Sequence, residues 1–587
     1  MPRPPQILRE TFLRHLKYNE RINMKTLLKN GIVVNVFTDE LQRANVLLEN
    51  EKIIGVGDYC DNEADVVEDV SGKYICPGFI DGHIHIESTM LTPAELSRLC
   101  VANGTTSIIA DPHEITNVCG ADGVKYMLEA SKGLPMDVFV VLPSCVPASG
   151  FDEAGAVLEA EDIKPLYSLE RVIGLGEMMN YPGVIFENEK VLAKIRDCVE
   201  LGKPINGHAP LLGGKDLDKY ISKGIYDDHE CSLEDEAKER IRKGQTVMVR
   251  RGSAARNLKS LISLFDELWN RRCMLVTDDY HPDDLLKKGH INSIIREAVE
   301  MGKSAVVGIR MATIQAAKHF GIAGVGAIAP GYFADIAVLE DLTALNTVKV
   351  FKKGKKVSEN GKCLDFDEPK VSDELLKRVR GSFDLKTLEE KDFYIEPKGN
   401  KCRLIRILPG TLITDEMINE VDFSKNNGID TEKDILKIAV IERHHNTGHI
   451  GLGFINGIGL KKGAIASSVS HDSHNLIVVG ASEKDMTVAA NRIKELGGGY
   501  IAVVDGEILA ELPLPIGGIM TDASAEDAAR CNKELRDIVC ALGVSRELNP
   551  FMNMAFSALS VIPHLKMTTL GLVDVDKQKI VSVFAEE

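Results

Sequence analysis

The stretch Gly78-Phe79-Ile80-Asp81-Gly82-His83-Ile84-His85-Ile86-Glu87-Ser88-Thr89 decides how the rest of the chain is read. An apolar run, Tyr74 to Ile80, leads into two histidines at i and i+2. On a β-strand that spacing puts both side chains on one face. Two imidazoles on one face, at the end of a hydrophobic strand, make half of a divalent-metal site. Taken alone, they fit equally the polar end of an ordinary strand, hydrogen-bonded into a core. The choice between the two rests on residues further along the chain.

Downstream, strand-like and helix-like segments alternate. The predicted strands are Phe79–Ile86, Thr106–Ala110, Val138–Leu142, Val172–Gly176, Pro204–Gly207, Ile225–Asp228, Thr246–Val249 and Met274–Thr277. Helical patterns fall between most of them, among them Pro93–Asn103, Asn188–Leu201, Lys215–Lys223, Leu233–Lys243 and Asn257–Trp269. Gly104, Gly202, Gly224 and Gly244 stand where helix C-termini want a glycine. Eight such repeats fit an α/β fold with a closed (β/α)8 barrel of TIM type better than a doubly wound sheet. In that barrel, chemistry sits at the C-terminal ends of the strands.

Upstream, short β-like runs from Thr26 to Val56, separated by Gly, Asn and Asp turns, predict a small antiparallel sheet ending at Pro77-Gly78. Beyond the eighth strand, Gly326–Leu339 and Val348–Lys353 return to β character and are assigned to that same sheet. The expected organisation is an extension over 1–24, a β-sandwich assembled from 25–77 and 326–364, and the inserted barrel over 78–325. A linker with a helix follows over 365–400, then a C-terminal α+β domain over 401–587. The role of residues 1–24 is not readable.

Composition narrows the function. The chain has 587 residues, 44% hydrophobic and 27% charged, as in ordinary globular proteins. Its 70 Lys+Arg against 87 Asp+Glu give a net charge of -17, which argues against a general polyanion binder, and so against nucleic acid as partner, but not against a small uncharged nucleobase as substrate. Twelve cysteines, scattered singly from Cys60 to Cys540, read as reduced thiols of a cytoplasmic protein. No apolar run is long enough for a membrane span.

The predicted strand ends supply the missing ligands. Strand one ends in His83 and His85, strand four in Glu177, strand five in His208, strand six in His229 and strand eight in Asp278. Any one of them has a structural reading, but six coincide at one rim. Imidazole and carboxylate together suit Zn, Fe or Mn. Six ligands are too many for one tetrahedral ion and the right number for two ions bridged by a carboxylate.

The Pro-Gly-x-Ile-Asp-x-His-x-His signature and the closing Pro-Gly-x-x-Ala-Asp-Ile-Ala-Val resemble the amidohydrolase superfamily. Asp111-Pro112-His113-Glu114-Ile115, Gly176-Glu177-Met178-Met179-Asn180, Gly252-Ser253-Ala254-Ala255 and the C-terminal region resemble, more narrowly, bacterial and archaeal adenine deaminases over residues 25–587. Arg251, just before Gly252, departs from the acidic residue expected there. The resemblance implies hydrolysis of adenine to hypoxanthine and ammonia, a step of purine salvage, in a homo-oligomer (a dimer). It also implies two divalent ions, Mn2+ or Fe2+ with Zn2+ as a third option. His83, His85 and Asp278 then hold one ion and His208 and His229 the other. Glu177 bridges them, and the pair acidifies the attacking water. Asp278 has a second role, moving the proton from that water to the departing amine. His113 and Glu114 are candidates for addressing the purine, His113 as a catalytic group stabilising charge on a ring nitrogen; the alternative is a tight turn. Arg251 and Ser253 are further candidates for the pocket.

In the C-terminal region, His444, His445 and His449 form one histidine group and His471, Asp472 and His474 another. By spacing, His471 and His474 bind a metal, cap a turn or reach into the barrel mouth; the resemblance favours closure over substrate. His281, His290, His319 and His564 are read as ordinary residues. A dihydroorotase- or hydantoinase-like hydrolase of cyclic amides is the rival enzyme, and it would want a lysine at Glu177. A single-metal guanine or cytosine deaminase is disfavoured by the same glutamate. A non-catalytic barrel scaffold is the rival from another class, and such chains lose ligands that this one keeps.

Overall fold

The structure, a computed structural model, describes residues 24–585 apart from Ala254 and Leu412. The extension read over 1–24 therefore lies outside the described residues except for Met24.

Eight parallel strands build the central barrel: β1 (Phe79–Ile84), β2 (Thr105–Ala110), β3 (Asp137–Leu142), β4 (Val172–Met178), β5 (Ile205–Gly207), β6 (Asp227–Asp228), β7 (Thr246–Arg250) and β8 (Cys273–Val276). The first five form one sheet in order and the last three another. The seams between the two are closed by polar residues. Asp278, just past β8, donates its backbone N–H to the His83 carbonyl at 3.0 Å. Across the other seam, Asp227 accepts Gly207 N–H at 2.7 Å and the Asn206 amide at 2.8 Å. Asp81 of β1 belongs to the first seam: its carboxylate accepts the backbone N–H and the hydroxyl of Thr277, pinning β1 to β8. His290 and His319 serve the same seams, 3.1 Å from Asp81 and 2.6 Å from Asp227.

Ile80, Ile109, Val141, Met248, Met274 and Val276, contributed by five strands, pack into one cluster, as the alternating faces of a closed barrel require. Two elements differ from expectation. The sixth strand is only Asp227–Asp228, and no α-helix forms over 257–269, where a 3-10 turn occupies Ile262–Phe265 and a second, Asn270–Arg272, follows the stretch. Leu258, Leu261 and Leu264 are buried, so the apolar pattern reported burial faithfully. A spacing of three, however, suits a 3-10 turn as well as an α-helix.

Two further sheets are built from the segments that precede and follow the barrel in sequence. Four strands, in the order Lys52–Gly57, Asn45–Glu49, Lys25–Lys29 and Val66–Asp69, make one. A seven-stranded sheet makes the other, and in it Tyr74–Pro77, before the barrel, lies antiparallel to Ile336–Leu339, after it. These sheets are mixed and not purely antiparallel, since Ile32–Asn35 runs parallel to Tyr74–Pro77 and Lys25–Lys29 parallel to Val66–Asp69. The segment after residue 364 is not a free linker: its helix Asp373–Arg380 buries Leu375 and Val379 against the barrel's outer core.

The C-terminal region is organised by an eight-stranded sheet. In its strand Leu436–Ile441, Leu436, Ile438 and Val440 enter one core while Ala439 and Ile441 enter another. The two-residue period sends neighbours to opposite faces, and both faces are covered, so the strand is apolar apart from Lys437, which is buried and paired with Glu483. The helix Glu483–Leu496 covers one face; Ala525–Ala541 and Pro550–Ser557 cover the other. All twelve cysteines are free thiols. No helix among the described residues is long and apolar enough to cross a membrane.

Candidate metal centre

The barrel rim brings His83, His85, Glu177, His208, His229 and Asp278 to one point. His83 Nε2 and His85 Nε2 are 3.2 Å apart. Asp278 Oδ1 is 3.6 Å from the first and 3.0 Å from the second, and Glu177 Oε1 is 3.4 Å from His85 Nε2. The other oxygen of Glu177, Oε2, lies 2.6 Å from His208 Nδ1 and 3.1 Å from His229 Nε2. Donor atoms spaced this way match the ligand-to-ligand edge, about 3.3 Å, of a coordination shell with bonds of ~2.0–2.1 Å. The His83–His85 pair makes the same point: neutral imidazoles aimed Nε2 to Nε2 have one proton or one cation to share. The donor set thus fits divalent metal, with Glu177 contributing one oxygen to each side.

Neighbouring groups orient these ligands. His85 Nδ1 donates to the Asp111 carbonyl at 3.0 Å, which leaves Nε2 as the free lone pair. Asp111 Oδ2 accepts the Glu177 backbone N–H at 2.8 Å. That approach needs Gly176, because a Cβ there would stand 2.2 Å from Asp111 Oδ2. Asp278 is held in a left-handed conformation, φ 62°, which aspartate tolerates better than a branched residue.

The electrostatics belong to a buried cluster that stores protons when imidazole and carboxylate face each other alone. Burial opposes the charged form of His208, but Glu230 and Glu177 outweigh it and push its pKa up to about 9. Burial likewise opposes His85+, and Asp278 and Glu177 hold it well above the ordinary range. His83, in contrast, is pushed down, by burial first and by His229 second. A divalent cation would satisfy the same carboxylates and displace those protons.

The other predicted residues fall into three groups. His113 and Glu114 start the helix His113–Cys119 just past β2, so they are not merely a turn. His113 Nδ1 is 3.2 Å from Glu177 Oε1, beside the cluster. Glu114 is clasped by both histidines of the C-terminal loop, His471 Nδ1 on Oε1 and His474 Nε2 on Oε2. That loop therefore lies over the barrel mouth. Of the group His444, His445 and His449, His444 Nε2 reaches the Ser473 carbonyl at 2.8 Å within the C-terminal region, and the other two dock that region onto the loop after β3. His445 reaches the Ala154 carbonyl at 3.2 Å, and His449 reaches Glu153 at 2.8 Å.

Arg251 and Ser253 do not join the site. Arg251 Nε donates to Glu297 at 2.7 Å, on the helix Ile291–Glu300 outside the barrel. Ser253 donates to Asp284 at 2.7 Å and accepts the His281 N–H at 2.9 Å, fixing a turn. The residue that faces inward is Arg250, whose Nη1 contacts Glu230 and, at 2.8 Å, Asp278 Oδ2. Strand parity gives the reason. Met248 lies in the inner cluster, so Arg250 shares its face, while Val247, Val249 and Arg251 face out. Because residues 247–249 are all apolar, the sequence does not reveal which parity is inside. Glu230, Asp111 and Asp279 also escape a reading of the sequence; each is an acid directly beside a ligand or on the neighbouring strand end.

A (β/α)8 barrel with paired histidines on its first strand and carboxylate and imidazole ligands on the fourth, fifth, sixth and eighth defines an amidohydrolase. Residues 74–357 match the amidohydrolase family, and residues 411–579 match the adenine deaminase C-terminal domain. Adenine deaminase 2 of Carboxydothermus hydrogenoformans is 46% identical over 560 residues, covering 95% of this chain and 96% of that protein. The adenine deaminases of Desulfatibacillum aliphaticivorans and Clostridium acetobutylicum are 42% and 44% identical, covering 95% and 94% of this chain and 97% and 96% of theirs. The chain belongs to the adenine deaminase family.

Proposed function

We propose that this chain hydrolyses adenine to hypoxanthine and ammonia in purine salvage, as a cytoplasmic homo-oligomer holding two divalent ions, Mn2+ or Fe2+ before Zn2+. The observation that carries the two-ion reading is the division of Glu177, one oxygen toward His83 and His85 and the other toward His208 and His229. His83, His85 and Asp278 would hold one ion, and His208 and His229 the other. When bound, the ions supply Lewis acidity and lower the pKa of water.

The protein groups do the rest. Asp278 Oδ1 faces the cluster and takes a proton from the attacking water, then returns it to the departing amine. Arg250 on Oδ2 keeps that carboxylate ionised and fixed. His113, adjoining Glu177, offers a hydrogen bond to a ring nitrogen as charge moves onto the purine. The loop with His471 and His474 covers the mouth and limits water around the reacting carbon. A cyclic amide hydrolase is disfavoured because Glu177 occupies the strand-four position where such enzymes carry a lysine.

Metal analysis combined with ammonia release from adenine, adenosine, guanine, cytosine, hydantoin and dihydroorotate tests this. About two metal equivalents and activity on adenine alone are expected. Hydrolysis of a cyclic amide, or no activity in a fully loaded protein, would sink it.

A further inference from the structure

The residues that follow β2 repeat the ligand chemistry of β1. Ile84 and Ala110 are partners across the β1–β2 pair, so Asp111 stands level with His85, and His113 follows Asp111 at i+2 as His85 follows His83. Asp111 Oδ1 and His113 Nδ1 are buried, and neither has a hydrogen-bond partner. Their residues are 0% and 4% exposed. The other Asp111 oxygen, Oδ2, is occupied by the Glu177 N–H, which leaves Oδ1 over. Unpartnered groups of this kind are costly to bury, and a cation is what answers a carboxylate oxygen and an imidazole lone pair together.

These two atoms and Glu177 Oε1 face a common point. His113 Nδ1 is 3.2 Å from Glu177 Oε1 and 3.7 Å from Asp111 Oδ1, and ligand atoms of the three residues all lie within 4.8 Å of one another. The two shorter separations bracket the ligand-to-ligand edge of about 3.3 Å that bonds of ~2.0–2.1 Å produce. The rival occupant is a proton on Nδ1. Asp111 Oδ1 is too far to accept it, and Glu177 Oε1, although near enough, is not aligned for a hydrogen bond. One imidazole and two carboxylates suit an oxygen-preferring ion such as Mn2+. With an ion on Nδ1, Nε2 carries the ring N–H. Nε2 lies 3.7 Å from both Glu114 Oε1 and Asp472 Oδ1, beyond hydrogen-bond reach, so that N–H stays available to substrate.

We propose that Asp111, His113 and Glu177 form a third divalent-cation site, beside the pair held by the six rim ligands and filled after it. Glu177 Oε1 also faces His85, so a third ion shares that oxygen with the first and is held more weakly. It is therefore present at equilibrium with free metal and lost on gel filtration, which leaves the pair. Equilibrium dialysis of the Mn2+-loaded full chain against rising free Mn2+ counts bound ions in wild type, Asp111→Asn and His113→Phe. Asp111→Asn keeps an acceptor for the Glu177 N–H but replaces Oδ1 by an NH2 group that cannot ligate. His113→Phe leaves Asp111 untouched. The wild type should bind three ions and each variant one fewer, with weak binding by surface carboxylates common to all. The same count in all three proteins would overturn the proposal, and a shared count of two would leave the rim pair standing. Two ions in the wild type and one in both variants would uphold this site and overturn the two-ion reading of the rim ligands. If Asp111→Asn alone loses more than one ion, Glu177 itself has been disturbed, and the count in His113→Phe decides.

Discussion

Arg250 Nη1 lies 2.8 Å from Asp278 Oδ2, while Asp278 Oδ1 turns to the Nε2 atoms of His83 and His85. One carboxylate is thus divided between a fixed cation and the cluster. Burial works against the ionised form of Asp278, and Arg250 leads the groups that overcome it, holding the carboxyl well below its ordinary pKa. Arg250→Gln should lower kcat by about 10- to 100-fold. It should also move the acid limb of the kcat/KM profile to higher pH, because an unpaired Asp278 holds its proton longer. An acid limb that stays in place in the variant would refute this role.

Glu177→Gln retains the shape of the side chain but removes its charge and one acceptor. Since each oxygen faces a different pair of histidines, the variant should lose at least one of two ions per chain, read by elemental analysis after gel filtration. Unchanged metal content would remove Glu177 as a bridge.

Ion uptake should release protons. Burial disfavours the charged form of His208, yet Glu230 and Glu177 push its pKa up to about 9, so it carries a proton at pH 7. A metal takes only the neutral imidazole. Apparent metal affinity should therefore rise with pH until about 9. Calorimetric titration at pH 7 in buffers of different ionisation heat measures the release, and a buffer-independent heat would contradict it.

Lys566, in the strand Leu565–Thr568, is fully buried, donates to the Phe556 carbonyl at 3.0 Å, and has its pKa pushed down by burial to about 7 from an ordinary 10.5. Between those values the unfolded chain binds more protons than the folded one, so this site's contribution to stability improves as pH rises from about 7 to about 10.5. Lys566→Met should remove that dependence. Its stability relative to wild type should be higher at pH 6 than at pH 10.5, by on the order of 2–4 kcal/mol, in urea unfolding. A difference that does not change with pH would rule this out.

Much of the barrel is legible in the sequence because its strands are buried on both faces and end in polar residues that chemistry demands. His83, His85, Glu177, His208, His229 and Asp278 each stand at a predicted strand end, and in space they converge. Arg250 is hidden because Val247, Met248 and Val249 give no sign of which face is inside. The stretch 257–269 misleads because buried leucines three apart describe two kinds of helix at once. Glu114 reads as a purine contact in the sequence, yet both its oxygens are occupied by His471 and His474, a partnership across more than 350 positions that no local pattern signals.

The pairing of Tyr74–Pro77 with Ile336–Leu339 bears on the chain during its synthesis. Roughly 260 residues separate the partners, and at about 5–20 residues per second a ribosome needs on the order of 13–50 s to supply the second. Through that interval the first strand leaves the tunnel with its hydrogen-bonding edge toward Ile336–Leu339 open, the arrangement most prone to wrong pairing. The nascent chain is therefore most exposed to aggregation while its barrel is being made, and a chaperone that shields extended apolar segments would act on it then.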